Sequence, residues 1–318
     1  MLKMLCGLMT AAALAAASPV MASEPWPSKS VKLIVPYPPG GSSDNVGRLA
    51  ASWLTAALGQ TVVIENRGGA GAIIGTEAAS RAPADGYTLL LAPTAVMAIT
   101  PQLRSVPYSV GDFAPIAIVA SSYNIVAARK DLPANNIAEL AALGKAQQGK
   151  LTLGSAGIAT ATHIAGELVH LALGIQVLHI PFKGSSESLN ALVGGQIDLI
   201  YDPVALPQVR AGTVKVLAAG GKARHPELPG VPTLKEQGVN VEVGSWFGLF
   251  APKGTPKEII DRVAAGLARG AQSPGVEGQL ARMSLYPDYR GPDAFARQIR
   301  EDIESYRKLI ERTGLKAN

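Results

Sequence analysis

The chain is nearly without cysteine: Cys6 is the single one in 318 residues. Disulfide stapling is excluded, as is a thiolate zinc cage, so stability has to come from packing. Aromatic residues make up only 5% of the sequence, and they do not interleave with basic residues to form a stacking platform for bases. Charge of one sign is also thin. The 29 Lys and Arg are scattered among 24 Asp and Glu, leaving a net charge of +5 without any run or stripe, so no nucleic-acid partner is expected. Long hydrophobic runs are missing too, since Ser18 and Pro19 interrupt the first one before it reaches the roughly 20 residues that a membrane span needs.

What is present has the makeup of a soluble globular protein, 47% hydrophobic and 17% charged, with length enough for two cores. Residues 1–22 read as an export signal: Lys3 near the start, an alanine-rich segment through Ala17, and Val20-Met21-Ala22 as a small-residue cleavage site. Cleavage after Ala22 and a periplasmic mature chain are expected. Cys6 lies before most of the apolar segment, too early for a lipid-modified cysteine.

Residues 31–45, Val-Lys-Leu-Ile-Val-Pro-Tyr-Pro-Pro-Gly-Gly-Ser-Ser-Asp-Asn, pass from a β-type run through a Pro/Gly loop into a helix start. The spacing of Val46, Leu49, Ala50, Trp53, Leu54, Ala57 and Leu58 predicts a helix over 45–58, with Gly59 as its left-handed stop. A strand at 61–65, a short helix ending near 80 and a strand at 87–91 continue the alternation of a parallel sheet covered by helices. Apolar runs at 113–120 and 124–128 then stand almost back to back, after which strands and helices alternate again up to 219. A Pro/Gly-rich passage over 225–238 leads to a long strand at 241–252 and three closing helices, 256–271, 276–283 and 292–313. That tail has too few strands for its own sheet and is expected to return to the first lobe. The expected class is α/β with two lobes, each a mostly parallel sheet flanked by helices, joined by two crossovers. Residues 23–121 plus 221–318 would form lobe 1 and residues 122–220 lobe 2.

A helix start leaves backbone N–H groups unpaired and carries partial positive charge, so the loop before it suits an anion. Gly40 and Gly41 let a ligand approach the main chain, Ser42 and Ser43 offer hydroxyls, and Asp44 reads most simply as the helix cap. In parallel sheets ligands sit beyond the strand ends, where loop 66–71 and Ala92-Pro93-Thr94 also emerge. The second half has loops of the same kind: Gly154-Ser155-Ala156-Gly157, then Pro181-Phe182-Lys183-Gly184-Ser185-Ser186, then Asp202 before Pro203. Together they would aim small residues and N–H groups from both lobes at one cleft, an arrangement suited to the carboxylate of a small organic acid. Lys183 is either a full positive charge for that acid or a solvated lysine. Asp202 is either a cap ahead of Pro203 or a partner for a ligand ammonium or hydroxyl.

Two other chemistries are less well supported. A hydrolase would use Ser155, His163 and Asp202, but Leu153 stands where a nucleophile elbow needs glycine and the Ser, His, Asp order differs from that fold's. A metal site would use His163, Glu167 and His170 on one helical face, yet no second ligand cluster supports it. A polar helix face is the plainer reading, with His163 near the ligand. No catalytic residue, metal or cofactor is expected.

With these residues in view the chain resembles the Bug (Bordetella uptake gene) family of extracytoplasmic solute-binding proteins of tripartite tricarboxylate transporters. The resemblance spans residues 23–318. It is carried by Trp26-Pro27, by Ile34-Val35-Pro36-Tyr37-Pro38-Pro39-Gly40-Gly41 with Asp44, and by Val63-Ile64-Glu65-Asn66-Arg67 with Gly69-Ala70-Gly71. Asp85-Gly86-Tyr87-Thr88-Leu89, Ser155-Ala156-Gly157 with His163-Ile164-Ala165-Gly166-Glu167, and Pro181-Phe182-Lys183-Gly184 follow in order. Gly194-Gly195-Gln196-Ile197-Asp198 and Trp246-Phe247-Gly248-Leu249-Phe250-Ala251-Pro252 complete the set.

The resemblance implies a type II-like periplasmic binding protein, expected as a monomer, whose lobes close over a small carboxylate and present it to membrane permease subunits without catalysing a reaction. It also implies ligand contacts from Tyr37, Pro38, Gly40, Gly41, Ser42 and Asp44, and from Ser155, Ala156, Gly157 and Thr160 opposite. Thr94, His163, Lys183 and Asp202 join them from the reading of the loops. A periplasmic sensor docking on a membrane signalling protein would use the same fold. Two departures adjoin the specificity region: Ile158-Ala159-Thr160 where Asn-Gly-Thr is commoner, and a segment after Asp202 about two residues short.

Overall fold

The structure, a computed structural model, describes residues 25–313 apart from Tyr123, Ala159, Lys222 and Ser284. The expected export signal, residues 1–22, lies outside the described residues. No helix among those described is long and apolar enough to cross a membrane.

The chain runs through β1 (Val31–Val35), α1 (Ser42–Leu58), β2 (Val62–Asn66), α2 (Ile73–Ser80) and β3 (Thr88–Pro93). A π-type turn, Ala95–Ile99, leads into the short α3 (Thr100–Leu103), and β4 (Phe113–Ser122) follows. The second lobe comprises β5 (Ile125–Arg129), α4 (Ile137–Ala146), β6 (Thr152–Ser155), α5 (Ala161–Leu173) and β7 (Leu178–Pro181). It continues with α6 (Ser185–Val193), β8 (Leu199–Tyr201), a 3-10 turn at Pro203–Ala205, α7 (Leu206–Arg210) and β9 (Val214–Ala219). The return comprises β10 (Trp246–Pro252), α8 (Lys257–Ala271), α9 (Val276–Ala281), β11 (Leu285–Arg290) and α10 (Pro292–Thr313).

The strands form two sheets, ordered β11-β4-β10-β3-β1-β2 and β7-β6-β8-β5-β9. Side chains alternate across each strand, which gives every sheet two buried faces. Leu33, Leu89, Leu91, Phe247 and Leu249 pack on one side of the first sheet, while Ile34, Leu90, Trp246 and Phe250 pack on the other. In the second sheet Val126, Leu199 and Tyr201 oppose Ile125, Ala127 and Ile200 in the same way. Helix α1 buries Val46, Leu49, Ala50, Leu54 and Leu58 and ends at Gly59, whose φ of 71° and N–H bond to the Thr55 carbonyl make the expected left-handed stop.

The two-lobed α/β arrangement agrees with the sequence, with three differences. The sheets are mixed rather than mostly parallel: β1 pairs in parallel with β2 and β3, and β6 with β7 and β8, whereas β4, β5, β9, β10 and β11 pair antiparallel. β11 does not appear in the sequence pattern at all. It is half-buried, contains Pro287 and lies at the sheet edge, where a missing N–H is tolerated and apolar alternation is not required. The long strand expected at 241–252 begins only at Trp246; Leu234, Val239 and Val243 before it pack into the core of the five-stranded lobe. By packing, that passage goes with the second lobe, although the sequence pattern assigns everything from 221 to the first.

The crossing segments lie side by side. Ser122 N–H donates to the Ser245 carbonyl at 2.8 Å, and Gly220 N–H to the Asn124 carbonyl at 2.7 Å. Both crossovers thus border the space between the lobes.

Candidate functional site

A cavity of about 720 Å³ opens between the lobes. Its wall is built from the start of α1, the segment after β3, both crossovers, the start of α5, and the loops that begin α6 and follow β8.

On the first lobe the Pro/Gly loop is held by part-buried polar contacts. Gly41 is the residue before α1, extended at φ −84° and ψ 174°, and no side chain caps this helix start. Asp44 is therefore not the cap. It is buried within the first turn, where Oδ2 accepts from Gly40 N–H and from Arg48 Nε, each at 2.9 Å, and Oδ1 accepts from Asn66 Nδ2 at 2.9 Å. Asn66 also donates to the Tyr37 carbonyl at 3.1 Å, clamping the other end of the loop to β2. Burial pushes the Asp44 carboxyl up, but the hydrogen bonds from Arg48, Gly40 and Asn66 together with the Arg48 charge outweigh it and hold it below its ordinary value.

On the second lobe the loop after β6 folds on itself. Ala156 N–H donates to Thr162 Oγ1 at 3.0 Å and Thr160 Oγ1 to the Gly157 carbonyl at 2.7 Å, with Gly157 at φ 129°. The start of α5 at Thr160 also lacks a side-chain cap. Asp202 caps the 3-10 turn through a bond from Val204 N–H at 2.9 Å, and Ser185 Oγ donates to its other oxygen at 2.5 Å. Burial raises the Asp202 carboxyl above its ordinary value despite those two bonds.

Of the residues singled out from sequence, the cavity wall takes Tyr37, Pro38, Gly41, Ser42, Ser43, Pro93, Ala156, Thr160, Ser185 and Asp202. The others stand behind or beside it. Gly40, at φ 90°, turns the loop, Gly157 turns its counterpart, and Asp44 organises the first of these. Thr94 is buried with Oγ1 accepting from Trp246 N–H at 3.0 Å. Ser155 is buried against His179, and His163 is stacked on the same ring. Lys183 is exposed, and its backbone N–H bonds Glu187. Absent from the sequence reading of the site are Arg104, Asn124, Phe247, Met283 and Leu285. Asn124 could have been found from its place in a crossover, whereas Met283 and Leu285 carry no local signal.

The alternative chemistries are not assembled. Ser155 Oγ pairs with His179 Nε2 at 2.6 Å, not with His163, and Asp202 is engaged by Ser185 and Val204. His170 meets the Tyr201 hydroxyl at 3.0 Å rather than sharing a ligand with His163, and no group of three or more potential metal-ligating side chains occurs among the described residues. The cavity instead combines two uncapped helix starts, one from each lobe, with Arg104, whose Nη2 donates to the Ala70 carbonyl at 3.0 Å and leaves the guanidinium's other N–H groups as donors, a set suited to an anion.

Comparison with known proteins agrees with this architecture. The TctC family, described as "Tripartite tricarboxylate transporter family receptor", matches residues 46–315. BugT of Bordetella pertussis is 35% identical over 309 residues, covering 94% of each chain. The structure of the periplasmic binding protein BugD is 36% identical, with a TM-score of 0.75 over 92% of this chain and 100% of that one. The R. palustris protein Rpa4515, solved with adipate, is 30% identical with a TM-score of 0.78, over 92% of this chain and 99% of the other. The chain belongs to the TctC family, the Bug-type periplasmic binding proteins of tripartite tricarboxylate transporters.

Proposed function

We propose that this protein captures a small carboxylate in its interlobe cleft, in the periplasm, and delivers it to the membrane permease subunits of a tripartite tricarboxylate-type transporter. It acts as a monomer, with its mature chain starting after Ala22, and it catalyses no reaction. The observation that carries this reading is the opening of uncapped α1 and α5 onto one cavity beside Arg104. Adipate in the related R. palustris protein supports the carboxylate class. The residues proposed to meet the ligand are Tyr37, Pro38, Gly41, Ser42, Ala156, Thr160 and Asp202, with Arg104 and Asn124 added by the geometry.

A ligand that binds only the folded state raises its stability by about 2.7 kcal/mol at a hundred times its Kd, a readily measured rise in Tm. Thermal unfolding against a panel of organic acids and amino acids should show that rise for at least one carboxylate. A flat response across the panel would remove the support for uptake.

A further inference from the structure

Ile158 lies in the loop between β6 and α5 with 50% of its surface exposed. Of the large apolar side chains that stand exposed among the described residues, it is the one on the cavity wall. The first lobe contributes further apolar surface to the same cavity from Pro93, Leu103, Phe247, Met283 and Leu285. A solvated isoleucine on the wall of a cleft gains by contact with an apolar ligand surface, and closure of the lobes would supply that contact from the opposite side.

Charge on the wall is sparse and balanced. Among the described residues, Arg104 and Asp202 are the two charged side chains of the lining, one of each sign. Asp202 is already bonded by Ser185 Oγ and Val204 N–H, so it is held in place as a carboxyl group facing the cavity. A ligand with one carboxylate finds a guanidinium and two helix starts. A second carboxylate finds, among the described residues, no second cationic side chain on the wall; it meets Asp202, apolar surface or the neutral hydroxyl and amide groups of Thr100, Ser122, Asn124 and Ser245, which offset its desolvation less than a guanidinium does.

Resting on the carboxylate reading above, we propose that the cleft selects monocarboxylates with a bulky apolar body, aromatic or branched aliphatic, and that Ile158 is the side chain that makes this choice. The adipate bound by the related protein is a diacid, so the proposal sets this chain apart from that relative.

Isothermal titration of the purified protein with benzoate, 4-methylpentanoate, succinate and malate tests it. At least one of the two apolar acids should bind roughly tenfold or more tightly than either diacid, with a negative heat-capacity change from buried apolar surface. Ile158→Asn, at an exposed position, should weaken the favoured acid about tenfold and shrink that heat-capacity change, while acetate affinity stays within about twofold. Tighter binding of succinate or malate than of both apolar acids overturns the selectivity and leaves carboxylate capture standing. Binding of no carboxylate at all overturns both readings. An unchanged preference in Ile158→Asn overturns the assignment to Ile158.

Discussion

Ser155 Oγ lies 2.6 Å from Nε2 of His179, whose ring stacks on that of His163 with centroids 3.7 Å apart and planes 9° from parallel. The same hydroxyl is within hydrogen-bond reach of the Gly157 carbonyl at 3.0 Å and the Gly157 N–H at 3.1 Å. With 1% of its surface exposed, Ser155 anchors the second-lobe loop from behind rather than facing the cleft. Ser155→Ala should cost about 1–2 kcal/mol in urea unfolding, because it leaves buried partners unpaired. Carboxylate affinity should fall only severalfold, and turnover of bound ligand should be undetectable both before and after the change. Turnover that vanished in the variant would reinstate the nucleophile.

The pH dependence of stability follows from the buried histidines behind that loop. Burial, helped by His179, lowers His163 to about 4; burial, helped by His163, lowers His170 to about 3; and burial lowers His179 as well. Each depressed group stabilises the fold fully above its unfolded value of about 6.5 and loses that contribution as pH falls through its folded value. For His163 the amount is on the order of 3 kcal/mol. Glu167 and Asp202, raised by burial, run the other way: their contribution is present below their unfolded values and lost as pH rises through their folded ones. Tm should therefore fall on acidification from pH 6.5 to 4, and His163→Gln should fall less steeply over that range. An identical slope in the variant would remove His163 from the linkage.

Gly41 can be enlarged without disturbing the fold. No heavy atom lies within 4 Å of a Cβ built there, and its φ of −84° suits any L-residue. Gly41→Phe should leave stability within about 0.5 kcal/mol. The ring would occupy the cavity, so carboxylate affinity should fall by roughly a hundredfold, the loss of a few favourable contacts and of space. Titration with unchanged affinity would take the opening loop out of the site.

Asp44 should behave in the opposite manner, as a structural residue with an indirect effect on binding. Asp44→Ala removes the acceptor for Gly40 N–H, Arg48 and Asn66 at once, at an expected cost of about 2–4 kcal/mol. Asp44→Asn keeps the shape and should cost about half as much. In both variants the affinity loss should track the stability loss; a large affinity loss at full stability would place the carboxylate in contact with ligand.

Much of the fold was legible because it is local. The spacing of Val46, Leu49, Leu54 and Leu58 encodes α1 whatever packs on it, and Gly59 marks its end by a backbone property. That helix starts three residues before the expected 45, because Asp44 resembles a cap in sequence, while the main chain turns at Gly41 and Asp44 bonds backwards to Gly40. β11 escaped because an edge strand needs no apolar alternation. At the site, the sequence marks the loops that follow strands, but which side chain of each loop lines the cavity depends on turns such as Gly157 at φ 129°.

The sequence by itself determined the α/β alternation and the glycine-rich loops at helix starts, since each depends on residues a few positions apart. Only the tertiary structure decided the pairing of Ser155 with His179, the engagement of Asp202 by Ser185, and the arrival of Met283 and Leu285 at the cleft. Those relationships are fixed by strand order, register and the packing of the tail on the first sheet, which bring distant positions together without leaving a mark in either local neighbourhood.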